Sequence, residues 1–134
     1  MKKPQQKQGK RSKHRQYIIS KLYEMDLNEH FIFSKSEIAF VKTTINGILE
    51  HKETIDQALT DNLINWRLSR LSYVDRAILR LATYEMMYTE TPIEIIIDEA
   101  LNLTHLFSDE GDRKHVSFNN SVLENLAKFL KKKV

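Results

Sequence analysis

Residues 72–88 read Ser-Tyr-Val-Asp-Arg-Ala-Ile-Leu-Arg-Leu-Ala-Thr-Tyr-Glu-Met-Met-Tyr. Val74, Ile78, Leu81 and Tyr88 recur at the spacing of one helical face. Ala77, Ala82 and Met86 widen that face. Ser72 stands where a hydroxyl can cap the first turn. A helix that is apolar on more than one side belongs at the centre of a fold. This segment therefore predicts a central helix, with other helices around it.

Three helices are expected before it. Ile18, Leu22 and Met25 share one face of a helix over residues 10–26. Ile38, Val41, Ile45 and Ile48 mark a second over residues 35–51, with Ser34 and Glu37 as a capping box. Ile55, Leu59, Leu63 and Trp66 mark a third.

Beyond the central helix, Thr91, Pro92 and Glu94 read as a cap, a first helical residue and a closing carboxylate. Ile96, Ala100, Leu103 and Phe107 continue as one stripe. The Ile93–Ile97 segment would pass for a strand by β-branching alone, but the start signals and the period decide for helix. Residues 108–115 form a polar loop. Val122, Leu126, Phe129 and Leu130 mark a last helix. Only three Gly and two Pro occur in 134 residues, which favours long helices. The expected class is all-α, a compact helical bundle. The expected organisation is a flexible basic tail over 1–9, one helical domain over 10–130 and a basic tail over 131–134.

Composition narrows the chemistry. There is no cysteine, which excludes disulfides and cysteine-bound zinc. No apolar run approaches the roughly 20 residues of a membrane span. No apolar segment follows the basic start, so the default location is the cytoplasm. Phosphate loops, metalloprotease helices and nucleophile elbows are absent. Asp98 and Glu99 are helix neighbours pointing about 100° apart, a solvated face rather than a catalytic pair. The five histidines lack metal-ligand spacing, so neither metal nor cofactor is expected, and no enzyme activity.

Charge is the informative feature. Residues 1–23 hold eight Lys or Arg and no acid, whereas residues 24–127 hold nine basic residues against eighteen acids. Such polarity suits a densely negative partner at one end, or a merely solvated tail. Within Gly9–Tyr17, the cations Lys10, Arg11, Lys13 and Arg15 can neutralise phosphates. Tyr17 or Tyr23 could stack on an unpaired base, although inward packing is the better reading of Tyr23.

Several ordered fragments resemble the NusB family. They are Leu22-Tyr23 with Asp26, Asn46-Gly47-Ile48, Ile55-Asp56, Trp66 and Arg70-Leu71. The run from Asp75 to Glu85, Pro92, Ile97-Asp98-Glu99-Ala100 and Phe118-Asn119-Asn120-Ser121-Val122-Leu123 complete the set. The resemblance covers residues 11–127. It implies two packed helical subdomains. It also implies transcription antitermination through single-stranded boxA-type RNA of ribosomal RNA transcripts. The implied partners are the ribosomal protein NusE and an RNA polymerase antitermination complex, with no membrane. By the same resemblance, RNA contacts fall on Lys10, Arg11, Lys13, Arg15 and Phe118. The protein partner falls on Asp75 with Arg76. Ser12 and His14 interrupt the cationic opening, which motivates an alternative: a protein-only scaffold that lost specific RNA recognition. A basic amphipathic helix over 10–26 could also lie on a membrane, but its apolar face is more economically core.

Overall fold

The computed structural model describes residues 9–33, 38–108, 111 and 113–130. Among them are six α-helices and no strand: α1 Lys10–Asn28, α2 Ala39–Glu50, α3 Lys52–Asp61, α4 Tyr73–Tyr88, α5 Ile93–Phe107 and α6 Lys114–Phe129. A 3₁₀ turn, Leu68–Arg70, precedes α4. The fold is all-α, as the apolar spacing predicts. The capping box at Ser34 and Glu37 and the tails over 1–8 and 131–134 lie outside the described residues.

α4 packs against each of the other five helices. Helices α1, α2 and α3 form a packed group on one side of it, and α5 with α6 form another. Its central place follows from its residues, since every side chain from Ala77 to Met86 is buried. Ser72 caps it as expected, its Oγ accepting from the Asp75 amide at 3.0 Å. Gly47 lets α2 approach closely. A Cβ there would lie 2.5 Å from the Tyr84 ring, so the helix-weakening glycine is explained by contact.

Three local expectations are corrected. Trp66 does not belong to α3, which ends at Asp61. Asn65 follows in the left-handed region at φ 66, turning the chain outward, and Trp66 is left 51% exposed. Thr91 does not cap α5. The helix starts at Ile93 with extended Pro92 before it, and no side chain caps it. The Thr91 amide instead donates to Thr89 Oγ1 at 3.2 Å, within the turn that ends α4. Finally, Tyr88, Phe107 and Phe129 are exposed. Each is the last residue of its helix, and Tyr88 stacks on the His51 ring with centroids 4.1 Å apart.

Candidate nucleic-acid interface

The first region lies where α1 begins. Lys10, Arg11 and Lys13 are exposed there. Gly9 precedes the helix without a side-chain cap, and its first turn has no acid. Three cations thus crowd the positive end of the helix dipole, an arrangement costing stability that a bound anion would recover. Phe40 at the start of α2 lies beneath Arg11. The Arg11 guanidinium sits 4.2 Å from its ring centroid, and the His14 ring lies 6.0 Å away. Ser12, which breaks the run of cations, donates to Glu99 Oε2 at 2.8 Å and pins α1 to α5.

Arg15 is a correction. Expected beside Arg11 as a phosphate contact, it is 4% exposed. Its Nε and one terminal nitrogen donate to the two Glu85 oxygens at 3.0 and 2.7 Å. Burial alone would lower this guanidinium. The Glu85 hydrogen bond and charge, with Glu99 behind, overcome that and hold it above its ordinary value. Arg15 therefore locks α1 to α4 and does not join the exposed cation cluster. Both members are out of water, so the pair holds the helices in register more than it adds net stability.

At the far end of α1, Asp26 Oδ2 accepts from Arg76 Nε at 2.8 Å and Arg80 at 3.2 Å. Arg80 also makes two bonds to Asp56 at 2.8 and 3.0 Å. α1 and α4 thus run antiparallel, clasped at both ends.

The second region lies at the start of α4, roughly 15 Å along its axis from Glu85. A cavity of about 380 Å³ opens there, lined in part by Trp66, Arg70, Asp75, Lys114, His115 and Phe118. Phe118 is half-buried, with its ring edge-on to Trp66 at 6.0 Å. Asp75 is a second correction. Expected to touch a protein partner, it is 3% exposed. It accepts from Ser108 at 2.8 Å and Asn119 at 3.2 Å, and pairs with His115 Nδ1 at 2.6 Å. Its work is to join the end of α5 and the start of α6 to α4. Arg76 is half-buried, reaching Asp26 and the Leu68 and Ser69 carbonyls and lying 4.6 Å over the exposed Tyr73 ring. Tyr23 packs edge-on against Tyr73 at the surface, not inward.

Sequence reading missed Phe40 and the cavity role of Trp66. Phe40 stands one residue off the Val41–Ile45–Ile48 stripe, the signal of a side chain serving another face. Asn62 before Leu63 and Asn65 before Trp66 were the signal that the third helix had ended.

Comparison with known proteins meets this geometry directly. The profile of the NusB family matches residues 4–128. This chain belongs to the NusB family. Among curated relatives, the transcription antitermination protein NusB of Bacillus subtilis (strain 168) is 36% identical over 126 residues, covering 87% of this chain and 94% of that one. The NusB of Clostridium botulinum (strain Alaska E43 / Type E3) is 41% identical over 107 residues, covering 79% and 74%. The solved T. maritima NusB superposes with a TM-score of 0.77 at 30% identity, covering 96% of this chain and 93% of that chain. A second solved chain, described as the crystal structure of a plectonemic RNA supercoil, gives TM-score 0.77 at 24% identity, covering 92% and 98%, and attests the fold. The curated relatives carry the description transcription antitermination protein. No helix among the described residues is long and apolar enough to cross a membrane.

Proposed function

We propose that this NusB-family chain acts in the cytoplasm by binding boxA-type single-stranded RNA of ribosomal RNA transcripts together with NusE. In that role it would seat the ribosomal protein in an RNA polymerase antitermination complex. The observation that carries the reading is the cation cluster at the start of α1, where Lys10, Arg11 and Lys13 are exposed and Arg11 lies over the Phe40 ring. No acid in that first turn offsets them, so a phosphate backbone relieves both their repulsion and the helix dipole. Phe118 is the proposed base platform at the other end of α4. Because Asp75 and Arg15 are sealed inside, the protein partner meets what is exposed around them, the Tyr73 ring and the flank of Arg76.

Fluorescence anisotropy with boxA and scrambled single strands tests this across salt. Each phosphate contact contributes about 0.7 to the slope of log affinity against log salt for single strands. We expect a steep slope and tighter boxA binding, with NusE tightening it further. Equal affinity for both strands would favour the protein-only scaffold. The burial of Arg15 is the observation on that side, since it removes one cation from an opening already interrupted by Ser12 and His14.

A further inference from the structure

The cavity at the start of α4 holds an aromatic residue with no part in the RNA contacts proposed so far. Trp66 is the only tryptophan in the chain. It lies outside any helix, half in water, although Leu63 three residues earlier is buried. Its ring meets Phe118 with centroids 6.0 Å apart and planes at 72°. Two rings at that angle make a corner. A flat base laid on one ring presents its edge to the other, and both stacked and edge-on contacts are favourable for aromatic groups. The open cleft, about 380 Å³, falls within the about 300–1,000 Å³ of small-ligand sites.

Charge identifies the occupant. Arg70 from the 3₁₀ turn and Lys114 from the first turn of α6 line the corner, and both are exposed. Arg67, exposed, follows Trp66 in the chain. Among the described residues that line it, the one carboxylate, Asp75, faces His115, Ser108 and Asn119. Aromatic walls with a cationic rim match a base and its phosphate rather than an apolar peptide.

We infer that Trp66 and Arg70 complete a nucleotide-binding corner with Phe118. One unpaired base of the bound RNA stacks in the angle of the two rings while Arg70 meets its phosphate. The inference rests on the RNA-binding reading, and it extends the RNA footprint onto the connector between α3 and α4.

Trp66 supplies its own reporter. The full chain is titrated with a boxA-type single strand, and with strands in which single bases are removed in turn, while Trp66 emission is followed. Binding quenches the emission, and one abasic position abolishes the quench. Trp66→Ala weakens binding roughly 5- to 150-fold, the range for losing one stacked base. Trp66→Phe restores most of it. The double variant with Phe118→Ala loses less than the product of the two single losses, because both rings hold one base. Arg70→Gln reduces the salt slope by about 0.7. Should Trp66→Ala destabilise the fold, the abasic series on the unaltered protein still decides.

If Phe118→Ala weakens binding while Trp66 emission never responds, the corner is wrong and the RNA reading stands. If the unaltered protein binds no strand, both fall. A shift of Trp66 emission with protein concentration alone would show a second copy covering the corner, and would overturn the inference.

Discussion

At the C-terminal end of α4, Glu85 is sealed by two bonds from the Arg15 guanidinium. At the N-terminal end, Asp75 is held by three different side chains, Ser108, His115 and Asn119. Both carboxylates are buried on the same central helix, and both need hydrogen-bond donors in place of the water they have lost. One end relies on a single, permanently charged partner and ties α1 to α4. The other spreads the task over the end of α5 and the first two turns of α6. The surface beside each differs accordingly. Next to Arg15 stand exposed cations with no acid in their own helical turn, and next to Asp75 stands an aromatic corner. A phosphate backbone suits the first and a base the second.

The largest expected effect tests the concentrated end. Glu85→Ala leaves Arg15 buried and unpaired, and should cost about 3–5 kcal/mol in urea unfolding. Replacing the pair together, Arg15→Met with Glu85→Leu, should recover most of that loss. If the double variant were as unstable as the single, the pair would be doing more than neutralising itself.

The distributed end should fail more gently. In His115→Ala, Asp75 keeps Ser108 and Asn119, so thermal or urea unfolding should show a loss of only about 1–3 kcal/mol. A loss equal to that of Glu85→Ala would erase the distinction between the ends.

The exposed cations should separate binding from stability. Replacing Lys10, Arg11 and Lys13 by Gln should change stability by no more than about 0.5 kcal/mol. The salt slope of RNA binding should fall by about 0.7 for each phosphate that is no longer neutralised. An unchanged slope would remove these residues from the interface.

The smallest effect concerns Tyr84, beside Glu85. Burial first, then the charges of Glu85 and Glu50, push its hydroxyl above the ordinary tyrosine value. The folded state therefore holds this proton more tightly than the unfolded chain. The resulting stability is fully present below about pH 10 and is lost as pH climbs through the raised folded value. Tyr84→Phe should flatten that alkaline decline, as measured by urea midpoints above about pH 10. An identical decline in the variant would show that other groups govern it.

Much of the architecture is legible in the order of residues. The Val74–Ile78–Leu81 face, the Ser72 cap and the scarcity of glycine and proline point to a helical bundle built around a central helix. The ordered family fragments give Phe118 its position. What misleads is local. Trp66 continues an apolar spacing past Asn62 and Asn65, and the Thr91–Pro92–Glu94 pattern resembles a cap while the Thr91 amide is engaged by Thr89.

The chain by itself determined which face each helix buries, because a period of 3.6 leaves its mark along it. It also determined where positive charge gathers. Only tertiary structure decided that Arg11 stays outside while Arg15, one helical turn on, goes inside. That outcome depends on Glu85, seventy residues away, arriving opposite one guanidinium and not the other. Periodicity records a helix's own geometry, whereas an ion pair records which helix lies across from it.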